Sequence, residues 1–184
     1  MPEVEGKKSL ARRGLNRILH LMARVLPGAR SLRPFLHRMR GARIGRGVFI
    51  GDDVYLENEY PERIEIGDNV ELGLRSVILA HLRGPGRVVI KQDAWIGACA
   101  VITAPSGRLL TIGEGAVIGA CTVVTADVPD RAFVRPPSPE HVANVSIPLT
   151  GAPSYFQFVR GLRPLRHSPR KAETHTGMSS DKTA

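Results

Sequence analysis

Six histidines are the side chains in this sequence best suited to moving a proton near neutral pH, and His81 is set apart by where it falls. Imidazole titrates near ~6.5, so it can take a proton from a hydroxyl or an amine at pH 7. His20 and His37 lie in a basic N-terminal segment, and His141, His167 and His175 lie beyond the regular part of the chain. His81 alone sits inside a run of short repeats, after an apolar strand and directly before a segment rich in glycine. That is a place for a general base, and a loop histidine without a role is the competing reading. Glu57 occupies a related place one coil earlier, in LENEYPE. Its carboxylate could orient His81 or bind a polar substrate, and an exposed acid of a turn is the alternative.

The repeats that position these residues are six long and start on an aliphatic side chain, usually followed by glycine. They read IGRGVF at Ile44, IGDDVY at Ile50, IGDNVE at Ile66, LGLRSV at Leu72, IKQDAW at Ile90, IGACAV at Ile96, IGEGAV at Ile112 and IGACTV at Ile118. A looser third unit follows each pair, at Leu56, Ile78, Ile102 and Val124, and the fifth position of the strict units is small or β-branched. Three such units make one triangular coil of eighteen residues, with the first and fifth side chains inward and the glycine easing the turn. Coil starts at Ile44, Ile66, Ile90 and Ile112 are 22, 24 and 22 residues apart, which leaves extra segments of four, six and four. Each follows a third unit, so all of them leave the prism at one corner, the corner of Glu57 and His81. Loops placed along one edge of a rigid solenoid build a binding face there.

The pattern resembles the hexapeptide-repeat acyltransferases, the left-handed parallel β-helix family of the maltose, galactoside and xenobiotic O-acetyltransferases and the serine acetyltransferases. The resemblance covers residues 42–145 and is strongest over IKQDAWIGACAVI and TIGEGAVIGACTVVTADVP. The left hand is implied by the family alone, because the general crossover rule gives the right hand. The resemblance implies a homotrimer that holds acetyl-CoA in a cleft between neighbouring prisms and passes the acetyl group to a saccharide or other small-molecule hydroxyl or amine. His81 matches the family's catalytic histidine. Ala98, Ala120 and Thr125 match residues that contact the cofactor, and Trp95 matches the family's WIG. Glu57 and Asn58 fall near an acceptor-binding asparagine of several sugar acetyltransferases. The chain departs from the family at Ala126, where many relatives have lysine, and at VRPPSPEHVANV, which replaces a G-N-P-A-K segment. Arg131, Arg135 and His141 are then candidates for the cofactor phosphates. A catalytically silent scaffold is the alternative reading, and it has no need of His81.

Cys99 and Cys121 hold equal places on neighbouring coils, within disulfide reach, and read as free thiols of a cytoplasmic protein. No metal is expected. The γ-class carbonic anhydrases share the fold but use three histidine ligands, and the coils offer one.

The expected fold is therefore all-β, a left-handed parallel β-helix of about four coils over residues 44–145. A basic amphipathic helical segment at 1–43 precedes it, a packing extension at 146–166 follows, and 167–184 reads as a disordered tail. Residues 1–43 hold eleven Lys and Arg against Glu3 and Glu5, a net of +9 that equals the charge of the whole chain. Leu15, Ile18, Leu19, Met22, Val25 and Leu26 follow helical spacing beside Arg12, Arg13, Arg17 and Arg24. Leu32, Phe35, Leu36 and Met39 suggest a second helix after Pro27 and Gly28. Two readings of residues 7–26 compete: a helix on an anionic membrane surface, peripheral to its inner face, or a cap on the open end of the β-helix. Nucleic acid is disfavoured, because no aromatics interleave with the arginines. No signal peptide or membrane span is expected, since Arg17, His20 and Arg24 interrupt the apolar positions.

Overall fold

The computed structural model describes residues 9–81, 84, 86–138 and 140–164. The tail expected to be disordered, and Lys7 and Lys8, lie outside the described residues. The chain divides into two units, residues 1–137 and 138–184.

In the first unit the short strands stack in parallel into the three walls of a β-solenoid. The first face holds Arg43–Ile44, Ile64–Ile66, Arg87–Ile90 and Leu109–Ile112. The second holds Phe49–Ile50, Glu71–Leu72, Trp95–Ile96, Val117–Ile118 and Phe133–Val134. The third holds Tyr55–Leu56, Val77–Leu79, Val101–Thr103 and Val123–Val124. Equivalent repeat positions pair in register, as in Ile50 with Leu72 with Ile96 with Ile118. The aliphatic first positions and the small fifth positions fill one continuous core, as the repeat predicts.

Three details differ from the sequence expectation. Part of each extra segment is strand rather than loop, because the first-face strands begin early and add a further inward rung. Ile64, Val88 and Leu110 form it, in mutual register and buried. The stack also continues past its last expected repeat: Val128 bridges to Ile112, and Phe133–Val134 joins the second face. The glycine after the aliphatic residue, finally, serves close approach rather than a left-handed turn. A Cβ on Gly97 would lie 2.5 Å from the Ala120 amide of the next coil. The positive φ falls two residues later, at the fourth position, where Asp53, Asn69, Arg75, Asp93, Cys99 and Cys121 have φ of 55–58°. None of these is β-branched, the side-chain class least able to adopt that conformation.

The open end of the first coil is closed by α1 (Leu10–Val25) and α2 (Leu32–Arg40). Along the stack, the carbonyls of Ile66, Leu72 and Ile78 accept from amides of the preceding coil. The matching carbonyls of the first coil have no preceding coil, and arginines take its place. Arg38 donates to Ile44 O at 2.9 Å, Arg33 to Ile50 O at 3.0 Å and Arg40 to Leu56 O at 3.3 Å, one on each face. A buried unpaired carbonyl costs about 1–3 kcal/mol, so this basic segment caps because it is basic. Capping is therefore the role seen for α2.

Leu19 and Ala23 of α1 pack with Leu32 and Leu36 of α2 in a small core of their own. Of the six residues in the expected apolar stripe only Leu19 is buried; Leu15, Ile18, Met22 and Val25 face outward. The inward side of α1 carries Asn16 and His20 instead, with His20 edge-on to Tyr55 at 4.7 Å. Burial, aided by Arg40, Arg24 and Arg17, lowers the His20 pKa to about 3, and burial with Arg40 pushes His37 well below its usual range.

In the second unit, Ala143–Val145 pairs antiparallel with Leu162–Pro164, and a short helix, α3 (Tyr155–Arg160), lies between them in sequence. Ser146 donates through its amide and hydroxyl to Gly161 O, and Arg160 sits 4.3 Å over the Phe156 ring.

A histidine whose folded pKa is depressed lets the unfolded state bind its proton first as pH falls. Stability is then complete above about pH 6.5 and declines below it, by at most about 1.4 kcal/mol per pH unit per histidine. Urea unfolding of the wild type should show a lower midpoint at pH 5 than at pH 7, and His20→Leu should reduce that difference. Equal pH dependence in both proteins would remove His20 as its source.

Candidate active site

The corner between the third and first faces carries the sequence-predicted residues of chemical interest. At its first level, Glu57 and Asn58 follow the strand Tyr55–Leu56, and the 3-10 turn Pro61–Arg63 leads into the next face. At its second level, His81 follows Val77–Leu79, and the Gly86 amide closes the loop onto Ala80 O at 2.8 Å. Thr125 stands two levels on, after Val123–Val124.

His81 is half-buried, and its ring meets Tyr60 edge-on with centroids 5.0 Å apart. The Arg63 guanidinium lies 5.3 Å over the same Tyr60 ring and donates to Gly86 O at 3.2 Å. Tyr60 and Arg63 thus grip the His81 loop from the preceding coil, one through the ring and one through the backbone. Neither ring nitrogen of His81 hydrogen-bonds to a described residue. Tyr60 and Arg63 carry no motif that marks them in the sequence. The available signal is their place in the corner segment one coil before His81.

Glu57 is buried rather than exposed, and it does not orient His81. Its amide pairs with Ile78 O at 2.9 Å, which puts it opposite Leu79, two residues short of His81. One carboxylate oxygen, Oε1, accepts from the Glu59 amide at 2.9 Å, and Oε2 is buried without a partner. The neighbouring cation is Arg40, itself buried, whose guanidinium donates to Glu57 O at 2.6 Å and Asn58 Oδ1 at 3.4 Å. Burial lowers Arg40 to about 10, with Tyr55 and Glu57 acting in the opposite sense. A small pocket beside this turn is lined by Arg13 and Asn16 of α1 and by Asn58 and Glu59. Arg13 and Glu59 pair across it at 3.8 Å.

Ala98 and Ala120 stand at a different corner, between the second and third faces. They are stacked: Cys121, next to Ala120, donates to Ala98 O at 2.9 Å, and Gly97 leaves no room for a Cβ against the Ala120 amide. This edge and the His81 corner are separated by the width of the third face. One protomer therefore does not bring Ala98 and Ala120 to His81. Trp95 lies on the second face in line with Glu71 and Val117, partly exposed. Cys99 and Cys121 are free and exposed at the same corner as the alanines.

No family model matches this chain. Over 107 residues it is 35% identical to the Bacillus subtilis protein named "Putative acetyltransferase YvoF", covering 55% of this chain and 58% of that one. Over 116 residues it is 30% identical to the bifunctional protein GlmU of Brevibacillus brevis, covering 56% of this chain and 24% of that one. The chain thus spans little more than half of the first relative and a quarter of the second. Among solved structures, its fold is similar to that of a hexapeptide-repeat containing acetyltransferase from Vibrio cholerae in complex with acetyl coenzyme A. That match has a TM-score of 0.53 and 23% identity, covering 68% of this chain and 82% of the other. The repeat pattern, the parallel solenoid and these relatives agree on one architecture, that of the hexapeptide-repeat acetyltransferases.

Arg40 joins the cap to the corner, so its loss should be felt as stability. Arg40→Met removes donors from the Leu56 and Glu57 carbonyls and leaves the Glu57 carboxylate without its buried counter-charge. We expect a loss of about 3 kcal/mol or more in chemical denaturation. Wild-type stability in this variant would mean that water or rearrangement satisfies those groups.

Proposed function

We propose that this chain is an acetyl-CoA-dependent acyltransferase that transfers the acetyl group directly to a hydroxyl or amine, with His81 as general base. The observation that carries the reading is His81 itself, fixed at the loop corner by Tyr60 with neither ring nitrogen engaged by a described residue. An imidazole nitrogen takes the acceptor proton as its oxygen or nitrogen attacks the thioester carbonyl. The new C–O or C–N bond forms, the C–S bond breaks, and the imidazolium returns the proton to the departing CoA thiolate. Ala98, Ala120 and Thr125 serve the cofactor, where small side chains let the pantetheine arm approach the backbone. Asn58 contacts the acceptor, a saccharide or other small molecule, and Glu57 holds the turn that presents it.

Because Ala98 and Ala120 lie a face away from His81, the reading calls for a second protomer whose edge comes to this corner. A homotrimer supplies it, and the apolar outward row of Trp95, Val117 and Phe133 on the second face suits such a contact. The working place is the cytoplasm, with the helix Leu10–Val25 against an anionic membrane surface.

The decisive experiment is release of free CoA from acetyl-CoA across a panel of sugars, amino acids and amines. With an authentic acceptor, His81→Ala should lower turnover by about 10² to 10⁴ without altering the assembly. Full activity in that variant would overturn the base assignment, and wild-type protein that releases no CoA with any acceptor would favour a scaffold. Ala120→Trp should weaken CoA binding in calorimetry by obstructing the approach to the backbone. Unchanged affinity in a folded variant would move the cofactor away from this edge.

A further inference from the structure

The outward side of α1 is apolar along its whole length. Leu10, Leu15, Ile18, Leu21, Met22 and Val25 are all exposed, Leu10 at 81% and Val25 at 79%. At 3.6 residues per turn they share an arc of about 140°, completed by Ala11 and Gly14. The buried residues of the helix, Asn16, Leu19, His20 and Ala23, occupy the opposite arc. This reverses the usual arrangement, in which a surface helix turns its apolar stripe to the core. Phe35 and Met39, both exposed and four apart on α2, extend the apolar surface onto the neighbouring helix.

We infer that this outward face of α1, continued by Phe35 and Met39, docks flat on an anionic lipid surface and buries its aliphatic side chains at the headgroup boundary. Charge decides the occupant. Arg13, Arg17 and Arg24 lie along one margin of the apolar arc, Arg13 paired with Glu59 and Arg24 with Asp53 of the first coil, and neither α1 nor α2 contains an acidic residue. Arg17 is exposed and forms no ion pair among the described residues. An arginine in the place of Arg17 keeps its charge among anionic headgroups while its stem follows the apolar face. Self-association through the same face would set like-charged margins against each other, which opposes a second copy as the occupant. An in-plane contact also fits the length, since sixteen residues span about 24 Å and, among the described residues, no helix is long and apolar enough to cross a membrane. The inference rests on the membrane reading of the N-terminal segment and is independent of acyl transfer.

The test uses the full chain and extruded vesicles of phosphatidylcholine with or without phosphatidylserine. Wild-type protein should co-sediment with the anionic vesicles, bind neutral ones less, and release partly as salt rises. Ile18→Gln with Val25→Gln touches only exposed positions and should lower binding by about tenfold or more, because apolar burial carries most of the hold. Arg17→Gln should lower it a few-fold and flatten the salt dependence. Ile18→Trp guards against a double variant that folds poorly: its emission should shift to the blue on anionic vesicles, relative to the Trp95 signal of wild type. Wild-type protein that ignores anionic vesicles at low salt overturns the inference and the membrane reading together. Wild-type binding that the double variant retains, with no blue shift at position 18, overturns the face assignment alone. Concentration-dependent self-association that the double variant abolishes, without lipid binding, would assign the face to a second copy and overturn the inference.

Discussion

A stack of parallel coils satisfies its backbone only between neighbours, so its first coil is left with carbonyls that nothing in the repeat can reach. Three arginines of the helical segment answer that constraint. Arg38, Arg33 and Arg40 each supply a guanidinium where the amide of an earlier coil would stand. A long, forked, permanently charged side chain suits the task, since it spans the gap and still offers further donors. Arg33 uses one on Leu26 O, and Arg40 uses one on His37 Nδ1.

The cap and the candidate site are mechanically one object. Arg40 of α2 holds the turn of Glu57 and Asn58, and Arg13 of α1 meets Glu59. The turn then leads to Tyr60, which leans on His81, and to Arg63, which holds the loop beyond it. Rigidity at His81 therefore comes from the coil before it, and that coil takes its own from the helices. The polar inner side of α1 follows from the same joint, because a helix laid over arginines and a buried carboxylate cannot be lined with leucines alone. His20 and His37 fill that layer as neutral rings, which spares the arginines a further neighbouring positive charge.

The repeat makes the interior legible from sequence: an aliphatic residue every six positions leaves the chain few architectures besides a triangular coil, and the corner of Glu57 and His81 follows by counting. Counting fails where the period changes. Ile64, Val88 and Leu110 fall outside the six-residue frame and so look like loop, yet alternation with Ile66, Ile90 and Ile112 marks them as strand. Val128 and Val134 escape the frame because only Thr125, Ala126 and Asp127 separate the last corner from the next strand. The stripe of α1 is visible in the sequence, but periodicity gives a direction without saying which side the protein lies on. Tyr60 and the true environment of Glu57 depend on contacts between coils, which no local pattern in the chain encodes.

The coils are nearly interchangeable, and a slip of the stack by one whole turn would keep almost every aliphatic residue inside. The arginine cap removes that degeneracy, because only the first coil has carbonyls to spare. It acts as an index mark that fixes which turn is number one. His81 lies in the second turn, so its distance from the helices is set by this mark and not by the repeats themselves. A chain that misplaced the mark would still look like a solenoid, with its histidine at the wrong height.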